Sequence, residues 1–269
     1  LNNGNVTIKT TGSSASCTGM PTCTGASGNG DIIVLDYIGF AVDYDNGNNG
    51  INWTVGNNTL TLSAYRNIDF KITQNVKHSG SPTGDKIDGG VYVQGFGNVV
   101  LRADNTATGT GTVNFEGTSS THPNALFLAD ITSTISIYYN PDSYNTPTPY
   151  GNYLLGDASR LTAYMAINVS GSAASKIYDG STTASVSGLI PAVALPGDLA
   201  LNTTSALATF ADKNVGANKT VTITGVTATG SGAVTSTSSD GATVISYNGN
   251  KYFISGLDSK TATITAKTV

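Results

Sequence analysis

A short alternating strand that ends on glycine, asparagine or aspartate recurs through the first half of the chain. It appears in NVTIKTTG (5–12), DIIVLDYIGFAVD (31–43), NTLTLSAYRNIDFKI (58–72), GGVYVQGFGNVVLRADN (89–105), GTVNFEG (111–117) and TISIYYNP (134–141). Apolar residues fall on every second position, as in Leu60 and Leu62, Ile68 and Phe70, Val99 and Leu101, Val113 and Phe115. A period of two places them on one face of a strand. Short strands at near-regular spacing, with little other apolar sequence to form a core, predict a solenoid in which each coil buries the face of the last. In a parallel β-helix the coils stack at about 4.7–4.9 Å. The apolar positions then join into one interior column, and Thr, Ser and Asn form the surface. Asn and Gly at the corners tolerate the left-handed backbone that sharp bends need. The alternative is an ordinary β-sandwich built of short strands.

Composition points the same way. Glutamate, a helix former, occurs once (Glu116) among 17 acidic residues, and the rest are aspartates, which favour turns. With 32 glycines and abundant Thr, Ser and Asn, the chain is suited to strands and corners.

Three stretches break the repeat: residues 13–30, 75–89 and 117–130. Insertions in a solenoid project from one face, often the binding face. The repeat stops in YYNPDSYNTPTPYGNYLLG (138–156), where Pro141, Pro147 and Pro149 cannot donate to a ladder. This predicts a β-helix segment over 1–140 and a cap and linker over 141–160. Tyr138, Tyr139, Tyr144, Tyr150 and Tyr153 cluster there. They would either cover the apolar end of the last coil or act as ligand contacts, stacking on a sugar.

Beyond the linker the style changes. LTAYMAINVSG (161–171), KTVTITGVTATG (219–230), KYFISGL (251–257) and TATITAKTV (261–269) alternate cleanly, which predicts a second domain over 161–269, an antiparallel β-sandwich. Within it, SKIYDGSTTASVSG (175–188) carries a turn. Gly180 supplies positive φ, and the Asp179 side chain reaches the backbone two residues on. Tyr178 is expected to lay its ring on the core and leave its hydroxyl to a nearby loop. Asp212 and Gly216 in FADKNVG are expected to make a similar turn. No second acid or base is nominated beside Asp179, so all five residues read as structural.

The net charge of −4 comes without a Lys/Arg cluster, so nucleic acid is not an expected partner. No apolar run approaches the ~20 residues that span a bilayer. No signal peptide is recognised, and the chain begins at Leu1 in mid-pattern, which reads as an excised piece of a longer protein. The only cysteines, Cys17 and Cys23 in CTGMPTC, read as a small disulfide loop formed in an oxidising compartment, against the alternative of two surface thiols. His78 and His122 lack the spacing of zinc ligands.

At this point the residues carry a family resemblance. SKIYDGSTTA, ATFADKNVGANKTVTITG (208–225) and the closing TATITAK closely resemble the YDG repeat of large bacterial surface exoproteins. NTLTLSAYRNIDFK and GNVVLRADNTATGTGTVNF resemble the right-handed β-helix of the filamentous haemagglutinin type, and ISIYYNPDSY and LTAYMAINV follow in that family's order. The resemblance implies an all-β protein: a right-handed parallel β-helix followed by an Ig-like antiparallel sandwich. It implies a secreted cell-surface adhesin, exported through an outer-membrane two-partner secretion transporter, without enzymatic activity or cofactor. Its partner would be a host receptor, a glycan or a biofilm matrix polysaccharide.

Other chemistries are weaker on the residues. Some β-helices cut polysaccharides, and glycoside hydrolysis needs two facing carboxylates. Asp31, Asp36, Asp43, Asp45, Asp85 and Asp88 are candidates, yet turn chemistry alone places Asp at corners. Counted from Asp43, DYDNGNNG has Gly47 fifth and Thr54 twelfth, so it fails the EF-hand spacing and leaves only an irregular oxygen site for calcium. Sequons begin at Asn5, Asn52, Asn57, Asn168, Asn202 and Asn218. The reading is a fragment of a surface adhesin, with a purely structural stalk as the second reading and a polysaccharide-degrading enzyme as a remote third.

Overall fold

The computed structural model describes residues 4–12, 14–17, 30–34, 38–41, 49–50, 58–76, 85–88, 91–93, 97–116, 126–128 and 132–268. The chain divides into two compact units. Unit 1 holds Leu1–Asn105, Thr110–Asn140 and Thr148–Ala163, and unit 2 holds Thr106–Gly109, Pro141–Pro147 and Tyr164–Val269. The stretch 141–160 is thus shared between the two. Both units are all-β, and the described helical residues are two short 3-10 turns, Tyr150–Tyr153 and Ala158–Arg160. Among the described residues no helix is long and apolar enough to cross a membrane.

Unit 1 contains β1 (Val6–Thr11), β2 (Ser14–Cys17), β3 (Ile32–Val34), β4 (Ile38–Ala41), β5 (Asn49–Gly50), β6 (Thr59–Ser63), β7 (Ile68–Phe70), β8 (Ile72–Val76), β9 (Asp85–Asp88), β10 (Val91–Val93), β11 (Asn98–Arg102), β12 (Val113–Phe115), β13 (Leu126–Leu128), β14 (Ile135–Tyr139) and β15 (Leu154–Leu155). Successive passes of the chain lay strands side by side in three parallel sheets. The first runs β1-β6-β11-β14, the second β3-β7-β12, and the third β4-β10-β13-β15. Registers agree from pass to pass. Val6, Leu60, Val99 and Ile135 align, as do Ile8, Leu62, Leu101 and Ile137. Ile32, Ile68 and Val113 align in the second sheet, followed by Val34, Phe70 and Phe115. The alternation seen in sequence therefore becomes columns of apolar side chains. Leu60, Leu62, Val99, Leu101, Ile135 and Ile137 are all buried.

Corner asparagines tie one pass to the next. Asn5 Oδ1 accepts from Thr59 N (2.8 Å), Asn67 Oδ1 from Thr112 N (3.0 Å), and Asn98 Oδ1 from Thr134 N (3.2 Å). Each satisfies an amide that the strand ladder leaves over. Arg66 and Asp31 hold a corner with a two-pronged ion pair, Arg66 Nε donating to Asp31 Oδ1 at 2.8 Å. That bond to Arg66, joined by the Asn67 amide, lowers the Asp31 pKa against the opposing effect of burial. Gly111 passes so close to Arg66 that a Cβ there would sit 2.3 Å from the Arg66 carbonyl oxygen, so only glycine fits.

Three short described strands pair antiparallel beside these sheets: β2 beside β1, β5 beside β4, and β9 beside β8. Of the interruptions, the described part of 117–130 is β13, which continues the third parallel sheet.

Unit 2 contains β16 (Leu161–Asn168), β17 (Ser172–Ala173), β18 (Lys176–Ile177), β19 (Thr183–Ala184), β20 (Val186–Ser187), β21 (Ala200–Asn202), β22 (Leu207–Phe210), β23 (Gly216–Thr224), β24 (Thr227–Thr229), β25 (Val234–Thr237), β26 (Thr243–Tyr247), β27 (Asn250–Ser255) and β28 (Lys260–Thr265). One run of strands is β16-β27-β26-β25 and a second sheet is β18-β28-β23-β22-β19, with two-stranded additions β17-β20 and β21-β24. Met165, Ile167, Ile245, Tyr252 and Phe253 of the first and Phe210, Val221, Ile223 and Ile264 of the second are buried.

Candidate functional site

The tyrosines of the 138–156 segment divide by environment. Tyr138, Tyr139 and Tyr150 are buried. The guanidinium of Arg102 lies 4.1 Å from the Tyr138 ring centre. Tyr150 meets Tyr139 edge-on at 5.0 Å, and its hydroxyl donates to Val113 O at 2.9 Å. Tyr139 Oη accepts from Thr148 N at 3.1 Å. Burial pushes both phenols up, Tyr150 the further. Phe70 and Phe115 stack at 4.7 Å, and Tyr153 stacks on Phe115 at 5.0 Å. The second sheet of unit 1 ends at β12 while its neighbours continue to β14 and β15. The Tyr150–Tyr153 turn packs on β12 through Val113 and Phe115, and Tyr153 prolongs the Phe70–Phe115 stack.

Of the two readings of this cluster, the burial of Tyr138, Tyr139 and Tyr150 is what covering the end of the coil requires. Tyr153 is half-buried on Phe115. Tyr144 belongs to unit 2, where its hydroxyl donates to Ala166 O at 2.7 Å and its ring meets Tyr252 at 5.7 Å. Burial, with Tyr252 close by, raises its pKa to about 12.

The YDG triplet lies between β18 and β19, which form opposite edges of one five-stranded sheet. Four strand spacings amount to about 19 Å, and the six steps from Ile177 to Thr183 span at most about 20 Å when fully extended. The link is not extended. Gly180 has φ +79°, and Ser181 N donates to Asp179 Oδ1 at 2.9 Å, closing an Asx turn. The sheet must therefore curl until its edges approach. In agreement, Phe210 N of β22 donates to Thr182 O at 2.8 Å, and Lys176 Nζ of β18 lies 5.6 Å from the Phe210 ring centre.

A lysine fastens the turn. Lys176 Nζ donates to Asp179 Oδ1 (2.8 Å), Ser181 O (2.9 Å) and Ser181 Oγ (2.9 Å), and Ser181 Oγ donates to Asp179 Oδ1 (2.9 Å). The β22–β23 connection repeats the device at the same end of the sheet. Asp212 Oδ1 accepts from Asn214 N at 2.8 Å and from Lys219 Nζ. Both lysine side chains are mostly covered, at 18% and 12% exposure, while the two carboxylates are about half exposed. In register, Lys176 lies beside Ile264 and Lys219 beside Ala262, so each stem runs along the core and its ammonium emerges at the turn. A serine beside a lysine suggests nucleophilic chemistry, which needs a neutral amine as base. Here the lysine Nζ donates to a carboxylate and a carbonyl, and the serine hydroxyl is spent on Asp179. The arrangement is suited to locking a turn.

Tyr178 departs from expectation: it is 38% exposed. Strand alternation turns Lys176 inward and Ile177 outward, and β18 ends before Tyr178, whose amide donates to Thr265 O at 2.8 Å. Gly216 opens β23 without a positive φ; Asn218, at φ +52°, takes the left-handed position at the bulge in the β23–β28 register. Sequence reasoning missed the two lysines because isolated lysines read as solvated surface. The Lys-x-x-Asp spacing of Lys176 and Asp179 was the available signal.

The Lys176 bond, the Ser181 amide and the Ser181 hydroxyl together lower the Asp179 pKa to about 2. A depressed folded-state pKa stabilises the fold above the unfolded value near 3.8 and loses that contribution as pH falls toward 2. Carboxylate NMR should therefore show Asp179 titrating near pH 2 in the native chain, and Lys176→Met should return its midpoint toward 3.8. An unchanged midpoint in the variant would remove the lysine from the turn lock. Asp212 is lowered by Lys219 in the same sense.

The remaining candidates are dispersed. Asp31 is occupied by Arg66, and Asp85 and Asp88 lie on β9, while Asp36, Asp43 and Asp45 fall outside the described residues. Residues 43–48 of DYDNGNNG, on which the calcium reading turns, and the histidines also fall outside them, as does Cys23, so the Cys17–Cys23 bridge is not described. Among the described residues no group of three or more His, Cys, Asp or Glu gathers to hold a metal ion. Of the sequons, Asn202 Oδ1 accepts from Thr204 N at 3.1 Å, Asn218 is exposed, and Asn52 and Asn57 fall outside the description.

Residues 163–235 match the family model of the YDG domain. No curated protein and no solved structure matches the chain. The YDG match includes both lysine-locked turns and stops before β26, although β27 and β28 complete the two sheets of unit 2.

Proposed function

We propose that this chain is a segment of a large secreted bacterial surface adhesin. Unit 1 is a stalk wound as a right-handed parallel β-helix, and unit 2 is a sandwich of the YDG type that serves as a spacer or presentation module. The observation that carries the reading is the YDG match at 163–235 directly after strands that stack in register, pass upon pass. Stacked coils lengthen a chain outward while each touches only its neighbours, which suits display and multivalent attachment. Export through an outer-membrane two-partner secretion transporter rests on the resemblance of residues 58–71 and 97–115 to the filamentous haemagglutinin type. The partner would be a host receptor, a glycan or a matrix polysaccharide, and no catalytic step or cofactor is part of the reading.

The second reading, a stalk without its own ligand, gains from the burial of Tyr138, Tyr139 and Tyr150, which withdraws the most aromatic candidate surface. The test is binding of the folded 269-residue chain to host-cell monolayers and a glycan array. Saturable binding supports an adhesive segment. A flat response with a strand-type circular dichroism spectrum supports the spacer. Release of reducing ends from a polysaccharide would contradict both.

A further inference from the structure

From the order in which unit 2 pairs its strands, we infer that it is a force-bearing clamp, closed by parallel pairing of its first strands with its last. Among the described pairs of unit 2 two are parallel and the rest antiparallel. The parallel ones are β16 with β27, where Met165, Ala166, Ile167 and Asn168 lie beside Tyr252, Phe253, Ile254 and Ser255, and β18 with β28, where Lys176 and Ile177 lie beside Ile264 and Thr265. Each joins the segment by which the chain enters the unit to the segment by which it leaves.

Direction decides how such a pair fails. When parallel neighbours are drawn apart through the start of one and the end of the other, they slide along each other. Every bond of the ladder then bears load together. An antiparallel pair drawn from one end opens bond by bond. Bonds beyond the ladders add to the clamp. Val169 N donates to Ser255 O (2.9 Å), Tyr178 N to Thr265 O (2.8 Å), Thr265 Oγ1 to Lys176 O (3.3 Å), Thr263 N to Ser175 Oγ (3.0 Å) and Lys260 Nζ to Val169 O (3.0 Å). The Lys176–Asp179–Ser181 lock closes the turn directly after β18, so that strand cannot lengthen forward under load.

The role deepens the stalk reading and rests on it for its use, because a tether between a surface and a target carries tension. The mechanics can fail alone, since binding does not enter the test. Single-molecule force spectroscopy on the full chain, held between marker domains, reports unit 2 as a length gain of about 350 Å, the span of its roughly 100 residues once extended. A second attachment uses an azide-bearing residue at position 213, in the exposed β22–β23 turn, together with the C-terminus. This draws antiparallel β23 and β28 apart from one end. The unfolding force through the two chain ends should exceed that through position 213 by roughly twofold or more. Equal forces in the two geometries would overturn the clamp. Tyr178→Pro, which deletes the donor to Thr265, should lower only the end-to-end force. If that variant does not fold, the comparison of geometries on the unaltered sequence still decides.

Discussion

Leu101→Ala is expected to be among the most damaging substitutions in unit 1. Leu101 is fully buried and aligned between Leu62 of the preceding pass and Ile137 of the following one. Truncation removes transfer energy and opens a cavity whose walls are other passes of the same column, held by their own ladders and unable to collapse inward. A loss of about 2–5 kcal/mol is expected from chemical denaturation. The same change at Val100, next in sequence and in register with Thr61 and Ser136, should cost less, since Val carries one methylene fewer than Leu and lies outside the column. Hydrogen exchange should quicken in β6 and β14 as well as β11, because stability in such a stack is shared between neighbours. Faster exchange confined to β11 would mean that the column is not continuous.

The second large effect is expected at Tyr150. Its ring lies edge-on to Tyr139 and Phe115, and its hydroxyl bonds the Val113 carbonyl. Tyr150→Ala should cost about 3–5 kcal/mol, whereas Tyr150→Phe, which keeps the ring, should cost about 0.5–1.5 kcal/mol for the lost hydrogen bond. The ratio separates an aromatic plug from a ligand contact. A ligand-contact tyrosine would tolerate alanine in stability and lose binding instead. Burial also holds the Tyr150 phenol protonated well above its ordinary range. Its ultraviolet titration should be absent from the native chain until alkali unfolds unit 1.

The columns of unit 1 were legible because they rest on the simplest periodic rule. Leu60 and Leu62 flank Thr61, and Val99 and Leu101 keep the same spacing between Asn98 and Arg102, and a strand has no other way to bury every second side chain. Pairing across passes was legible only as an expectation. No local signal names the partner of Val99 as Leu60 on one side and Ile135 on the other. The Asp179–Gly180 turn was equally plain, since both residues favour it locally.

The environment around that turn was not readable. Tyr178 was expected inside and stands partly outside, while Lys176 points inward. The reason lies in the phase of a two-residue strand, set by its neighbour Ile264 and not by its own sequence. The tyrosine cluster posed the converse problem. Five tyrosines near three prolines announce an aromatic site, but which faces are covered depends on Phe70 and Phe115, which arrive from far along the chain. Asp198 shows the same limit. It accepts from the Tyr247 hydroxyl and from Ser231 N at 2.8 Å, a loop clasp assembled from three distant segments.

The most direct test of the central proposal, that unit 1 winds in coils with an unbroken apolar interior, is the pattern of backbone NMR contacts among β6, β11 and β14. Parallel stacking in register predicts amide-to-α-proton contacts linking Leu60 with Val99 and Val99 with Ile135, repeated at Leu62, Leu101 and Ile137. Close α-proton pairs between strands adjacent in sequence, the mark of antiparallel hairpins, with no contact between Leu60 and Val99, would contradict it.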